Sequence, residues 1–141
     1  MGCTVTTSPQ ETEQLGERLG CRLSGGQVVA FTGPMGAGKT VFCTGLARGL
    51  GSIDATSSPT FSLVNFYRGR VPFAHFDAWR IEHTDDLEAA GFYDYLDSGA
   101  VVAVEWFENI AGFVSPAPVR VHIEVLDTNR RAITIEGVDG L

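Results

Sequence analysis

The first helical signal along the chain is a stripe of three leucines at four-residue spacing (15–23). Ser8 is a residue type that caps helices, Pro9 suits the first helical position, and Glu11 completes a capping box. The spacing therefore predicts an amphipathic helix that opens at Ser8 and ends at the glycine pair 25–26.

A second helix is predicted over residues 39–50, where four apolar side chains recur at helical spacing and Gly51 follows as a stop signal. Thr84 caps a third helical stretch over 84–90, and a short helical turn is expected at 93–96. Runs rich in β-branched and aromatic residues predict six strands. These runs cover residues 27–32, 62–67, 71–76, 100–104, 119–125 and 131–136.

Helices and strands alternate through most of the chain, and this order predicts an α/β fold with a mixed parallel and antiparallel sheet. The apolar run 100–104 is the most continuous strand, so we expect it in the middle of the sheet. The last two strands are joined by residues 127–129 and should form a C-terminal β-hairpin. Since the chain has 141 residues and lacks a dividing linker, we expect one domain over 1–141.

Composition and charge indicate where the protein is expected in the cell and which partners are not expected. No apolar run reaches the length of a membrane span, and residues 1–10 lack the pattern of a secretory signal, so we expect a cytoplasmic protein without a membrane partner. The formal net charge is −7. A protein that grips nucleic acid alone needs a basic stripe, which this charge disfavours, so DNA is not an expected partner.

Cysteine and histidine give no sign of a metal centre. The cysteines are odd in number and widely spaced, which favours reduced thiols without a disulfide or metal role. They are Cys3, Cys21 and Cys43. The histidines are equally scattered and do not suggest a zinc site. They are His75, His83 and His122.

The strongest chemical motif spans residues 33–40, which fit the phosphate-binding pattern G-x-x-x-x-G-K-[ST]. Its glycines allow backbone N–H groups to point at phosphate oxygens beside the start of a helix. Lys39, the only lysine of the chain, would contact the β and γ phosphates, and the Thr40 hydroxyl would bind Mg²⁺. The motif thus predicts a P-loop NTPase. The expected nucleotide contacts are Gly33, Met35, Gly36, Ala37, Gly38, Lys39, Thr40 and Val41.

A P-loop enzyme also needs a carboxylate near Mg²⁺ and a group that orients the attacking water. Asp77 and Glu105 each follow a predicted buried strand, and the carboxyl ends of such strands meet at the edge where the P-loop lies. We therefore predict both acids as catalytic residues with Lys39. The alternative for each acid is an ordinary turn or helix-capping residue.

Three further features have two interpretations each. Residues 57–60 lie where nucleotide hydrolases carry a switch loop, but they also fit an ordinary Ser/Pro turn. Trp106 fits either a core aromatic or a residue beside the nucleotide. Arg130 is either a solvated arginine of the hairpin or a contact to the phosphates or the base.

Six ordered motifs together resemble the TsaE family of bacterial tRNA threonylcarbamoyladenosine biosynthesis, over residues 15–108 approximately. They are GPMGAGKT at 33–40, GLARGLG at 45–51, SPTFSLVNFY at 58–67, HFDAWRI at 75–81, DLEAAGFYDYL at 86–96 and VEW at 104–106. Ala78-Trp79 and Phe107 depart from residues common in that family, and neither departure removes a phosphate or metal ligand.

The resemblance implies a mixed-sheet fold that binds ATP or ADP with Mg²⁺ and hydrolyses ATP slowly when isolated. It implies that Thr40 and Glu105 hold Mg²⁺, that Asp77 acts in hydrolysis, and that Pro9 and Arg130 lie near the nucleotide. It also implies TsaD and TsaB as partners and an indirect contact with tRNA through their complex.

Other functions remain to be weighed against this one. A small-molecule kinase would need further basic residues around its acceptor, and the single lysine disfavours it. A GTPase would need an [NT]-K-x-D motif, which the position of that lysine excludes. A non-catalytic, nucleotide-sensing subunit has the same motifs and stays open.

Overall fold

A seven-stranded mixed sheet is the central feature of the computed structural model, which describes residues 2–34, 38–53, 64–77, 91–105 and 118–138. In these ranges the strands are β1 (Gly2–Thr6), β2 (Val28–Thr32), β3 (Val64–Tyr67), β4 (Phe73–Asp77), β5 (Val101–Glu105), β6 (Val119–Val125) and β7 (Arg131–Glu136). The helices are α1 (Pro9–Arg22), α2 (Lys39–Gly49) and α3 (Phe92–Asp97).

The strands follow the order β1-β7-β6-β2-β5-β4-β3. The four inner strands β6, β2, β5 and β4 are parallel, whereas β1, β7 and β3 pair antiparallel at the two sides. Every residue of β5 is buried, as its apolar sequence predicts for a parallel strand covered on both faces. The predicted mixed sheet, inner position of β5 and C-terminal hairpin are confirmed.

Helices α1 and α2 cover one face of the sheet and touch each other at backbone distance. A Cβ placed at Gly45 would overlap the backbone oxygen of Glu13, and one placed at Gly16 would overlap that of Phe42. Leu19 and Leu46 are fully buried beneath this contact, in the larger apolar cluster of the molecule. Phe42 of α2 also packs edge-on against Phe31 of β2, with ring centroids 5.6 Å apart, so α2 lies over an inner strand.

Helix α3 covers part of the opposite face. Its first residue, Phe92, is fully buried and packs edge-on against Phe76 of β4, with ring centroids 5.5 Å apart. Residues 106–117, which connect β5 to β6, and the predicted helix 84–90 lie outside the described residues. Within the described part of the chain, no helix has the length and apolarity needed to traverse a bilayer.

The N-terminal helix begins where its sequence predicts. The backbone N–H of Glu11 donates to the Ser8 hydroxyl at 3.2 Å. The Glu11 carboxylate, however, accepts from the backbone N–H of Thr7 at 2.7 Å, one residue before the expected partner in a capping box. The helix ends at Arg22, three residues before the glycine pair.

The first strand is absent from the sequence prediction. Four of the five residues of β1 are exposed, and among the described strands β1 is an edge strand that pairs with β7. A short, polar segment of this kind has no apolar alternation to indicate a strand. Its pairing with the C-terminal segment is a long-range contact that local sequence does not encode.

Candidate functional site

The P-loop begins where β2 ends, at a turn that requires glycine. Gly33 has a φ of +126°, and a Cβ at this position would overlap the backbone oxygen of Ile123. Gly38 has a φ of +105° and caps α2 without a side-chain hydrogen bond. Because the first N–H groups of a helix have no partner within the helix, this end of α2 suits an anion. The other expected phosphate contacts, Met35, Gly36 and Ala37, lie outside the described residues.

Lys39 and Thr40 are the first two residues of α2. Lys39 is only 6% exposed, whereas Thr40 is exposed. Burial of an ammonium group is costly unless polar or anionic groups surround it. The two side chains therefore start from the same helical turn, with the lysine held inside the protein and the hydroxyl at its surface.

The two predicted acids lie at the same edge of the sheet as the P-loop. Asp77 ends β4 and Glu105 ends β5, and they are Cα partners in the register of these strands. Glu105 is also the Cα partner of Phe31, two residues before Gly33. The tertiary structure thus brings together three strand ends that are separated by up to 74 residues in the sequence.

Glu105 is a buried carboxylate with a buried histidine beside it. Its Oε1 lies 3.7 Å from Nε2 of His75, and the same nitrogen lies 3.9 Å from the Cys43 sulfur. Burial of the imidazole lowers the pKa of His75, but the Cys43 sulfur and the Glu105 carboxylate act in the opposite direction and hold this pKa well above 6.5. Sequence analysis missed His75 as a site residue. The signal available was its place two residues before Asp77, within the strand that the acid follows.

A cavity of about 110 Å³ adjoins the P-loop on the side of α1 and the β6–β7 turn. Of the predicted nucleotide contacts, Pro9, Gly38 and Val41 line it. Among the described residues, Ser8, Thr12, Thr128, Asn129 and Arg131 also line it. The cavity therefore joins the start of both long helices to the C-terminal hairpin, which sequence analysis only partly anticipated.

Arg130 is held in the hairpin by Asp127. Its Nε donates to Oδ2 of Asp127 at 2.7 Å, and the backbone N–H groups of Asn129 and Arg130 donate to Oδ1. The Arg130 side-chain hydrogen bond and these backbone bonds lower the pKa of Asp127. The arginine that lines the cavity is the next one, Arg131, whose Nη1 donates to the backbone oxygen of Asp127 at 2.9 Å.

Two of the predicted features lie outside the described residues. They are the possible switch loop at 57–60 and Trp106. The nucleotide roles expected of Trp106, Arg130 and the other site residues stay predictions.

Comparison with known proteins identifies the family. The family model "Threonylcarbamoyl adenosine biosynthesis protein TsaE" matches residues 6–133. A Treponema pallidum protein named tRNA threonylcarbamoyladenosine biosynthesis protein TsaE is 35% identical over 131 residues, which cover 93% of this chain and 97% of that protein. A Mycobacterium tuberculosis protein of the same name is 36% identical over 132 residues, which cover 87% of this chain and 79% of that protein.

The structural comparison agrees with the sequence comparison. The crystal structure of YdiB from Bacillus subtilis matches with a TM-score of 0.77 and 27% sequence identity, over 95% of this chain and 83% of that chain. The family match includes the whole P-loop and both strand-end acids. The chain belongs to the TsaE family.

Proposed function

We propose that this chain is the ATP-binding and ATP-hydrolysing subunit that supports threonylcarbamoyl transfer to tRNA, acting with TsaB and TsaD in the cytoplasm. The modified base would be the adenosine next to the anticodon of tRNAs that read codons beginning with A. The observation that carries the proposal is the convergence of the P-loop, Asp77 and Glu105 at one edge of the sheet. The names of the relatives, tRNA threonylcarbamoyladenosine biosynthesis proteins, supply the pathway.

The phosphates of ATP would bind at the start of α2. Backbone N–H groups of the P-loop and the positive end of the helix attract the phosphate oxygens, and the Lys39 ammonium neutralises the β and γ phosphates. The hydroxyl of Thr40 and the carboxylate of Glu105 offer hard oxygen ligands, the type that Mg²⁺ prefers. When bound, Mg²⁺ would supply positive charge to the phosphate oxygens.

Hydrolysis would require a water molecule aligned with the γ phosphate. Asp77 is proposed to orient this water and to accept its proton as the oxygen attacks phosphorus. A new P–O bond then forms to the water oxygen, while the bond between the γ phosphorus and the bridging oxygen breaks. The products are ADP and inorganic phosphate, and Lys39 stabilises the negative charge that develops on the leaving group.

The adenosine part would occupy the cavity between α1, α2 and the β6–β7 turn. Its walls combine apolar surface from Pro9 and Val41 with polar groups from Thr12 and Asn129. Such a mixture suits a nucleoside, which needs flat apolar contact and a few hydrogen bonds. The position beside Gly38 connects this cavity directly to the phosphate site.

The acidic charge of the chain fits a subunit that leaves tRNA to its partners. At −7, the protein would repel a phosphate backbone unless a basic surface intervened. Nucleotide binding or hydrolysis would then change the arrangement of the complex, as in other proteins that respond to a γ phosphate.

The proposal is tested by a modification assay with the purified chain, TsaB, TsaD, tRNA, ATP and the threonylcarbamoyl donor. We expect modified tRNA only when the wild-type chain is present. We also expect the TsaB–TsaD pair to capture the chain in an ATP-dependent manner. Asp77→Asn, which leaves the proposed metal ligands in place, separates the two remaining functions. A catalytic subunit loses modification while still joining the complex, whereas a nucleotide-sensing subunit supports modification without ATP hydrolysis. Full modification in the absence of the chain would contradict the proposal.

A further inference from the structure

A buried imidazole connects Glu105 to the P-loop helix. His75 of β4 is 1% exposed and Cys43 of α2 is 2% exposed. One nitrogen of the imidazole, Nε2, lies 3.7 Å from Oε1 of Glu105 and 3.9 Å from the sulfur of Cys43. Cys43 follows Thr40 by three residues on α2, so His75 contacts both the helix that carries Thr40 and the carboxylate of Glu105.

The fold holds the ring in place. Strand alternation puts Phe73 and His75 on the same face of β4, and their rings stack with centroids 6.2 Å apart and an interplanar angle of 10°. Phe73 belongs to the apolar cluster under α1 and α2. A ring confined between this cluster and the strand ends has little freedom to turn away from Glu105.

The carboxylate is the stronger partner for Nε2. An ionised carboxylate accepts hydrogen bonds far better than a thiol sulfur, so the Nε2 proton is best placed toward Glu105. A separation of 3.7 Å exceeds a normal N–H···O hydrogen bond, so the two groups lie within a small movement of hydrogen-bond distance. Both residues are buried, so little water competes for this contact.

We propose that His75 is a positioning residue for Glu105: its Nε2–H, now 3.7 Å from Oε1, would donate to this oxygen when the nucleotide binds and leave Oε2 to the nucleotide-bound Mg²⁺. The inference rests on the proposed function, because it concerns the same metal site. Metal ligands are generally oriented by such partners, and loss of a partner typically weakens metal binding by about 10- to 100-fold. A histidine with only a packing role would affect stability and leave the magnesium dependence unchanged.

Two substitutions distinguish the effect of the His75 N–H donor from the effect of its aromatic ring. His75→Gln keeps an N–H group at about the distance of Nε2 from the backbone, whereas His75→Phe keeps an aromatic ring against Phe73 and removes the donor. Calorimetry would give the dissociation constant of ATP in EDTA and with Mg²⁺, and the constant in EDTA divided by the constant with Mg²⁺ measures the magnesium contribution. We expect His75→Phe to reduce this ratio about tenfold, with the constant in EDTA unchanged. His75→Gln should stay close to wild type.

Controls and a second measurement make the outcome decisive. Cys43→Ala should keep the wild-type ratio, since the sulfur is the weaker partner. A wild-type ratio in His75→Phe, or equal losses in the Gln and Phe variants, would overturn the inference.

If His75→Phe does not fold, ¹⁵N NMR of the wild-type protein replaces the calorimetry of this variant. Adding Mg²⁺ to the ADP complex should shift Nε2 of His75 beyond the effect of ADP alone, and an unmoved resonance would overturn the inference.

The design also separates this inference from the proposed function. Wild-type protein that binds ATP equally with and without Mg²⁺ would contradict the proposed metal site itself. A magnesium contribution that disappears in Glu105→Gln and persists in full in His75→Phe would contradict only the positioning role.

Discussion

Asp77 and Glu105 occupy paired positions at the ends of two adjacent parallel strands. Glu105 lies beside the end of β2, where the P-loop begins, and Asp77 lies one strand further along the same edge. Two acids in such proximity suggest a division of labour, in which one binds the metal and the other acts on the attacking water.

Replacement of Asp77 should affect catalysis more than binding. We expect Asp77→Asn to lower the rate of ATP hydrolysis by about 100-fold, the usual contribution of a general base. The dissociation constant of Mg·ATP should change little, because Asp77 is not the proposed metal ligand. Phosphate release and calorimetry on the same preparation would check both. An Asp77→Asn protein that hydrolyses ATP at the wild-type rate would exclude this role.

Replacement of Lys39 should weaken the grip on the phosphates. Lys39→Met retains most of the buried stem and removes the charge, and we expect it to weaken ATP binding by about 10- to 100-fold, as for one lost charge-assisted bond. Lys39→Arg serves as the charge control and should recover part of the affinity. Equal ATP affinity in the Met variant and the wild type would show that the phosphates bind elsewhere.

Filling the cavity beside Gly38 should weaken binding of the nucleoside and leave binding of the phosphates unchanged. Val41→Trp places a large ring into a space of about 110 Å³, so we expect ADP to bind at least about tenfold more weakly. Tripolyphosphate, which lacks the nucleoside, should bind to the Val41 variant as tightly as to the wild type. Val125→Trp, on an exposed strand position, is the matched control. Unchanged ADP affinity in the Val41 variant would place the base outside this cavity.

The contact between α1 and α2 should tolerate no added methyl group. Ala is intrinsically the better helix former by about 1 kcal/mol, yet Gly45→Ala would drive a Cβ into the backbone oxygen of Glu13. Overpacking of this kind costs about 1–3 kcal/mol or more, so we expect a lower free energy of unfolding in urea. Gly2→Ala, with open space around its Cβ, should be neutral. A stabilised Gly45→Ala protein would contradict the close helix contact.

The carboxyl group of Asp127, in the β6–β7 turn, should titrate at low pH. Hydrogen bonds from Arg130 and from two backbone N–H groups lower the pKa of Asp127 below 3.8. Its stabilising contribution is therefore complete above the pKa of the unfolded chain and is lost as the pH falls through the lower, folded-state pKa. NMR titration of the carboxyl carbon should show this lowered value. Arg130→Ala should raise it, and an identical pKa in both proteins would contradict the contact.

Much of the fold follows from local signals in the sequence. The cap at Ser8, the apolar run of β5 and the turn residues between β6 and β7 each act over a few neighbouring positions. The P-loop is likewise a contiguous motif, whose glycines are required by the backbone angles at Gly33 and Gly38. These features were predictable because the interactions that produce them are short-range.

Three features were decided by the tertiary structure. They are the edge strand β1, the contact of His75 with Glu105 and the cavity that Arg131 lines. Each joins segments that are distant in the sequence, such as β1 with β7 or β4 with α2. The pattern of residues alone determined an α/β chain with a P-loop and two strand-end acids. Only the packing of strands and helices decided which side chains meet around them, because contact between distant segments is settled by the burial of their apolar faces together.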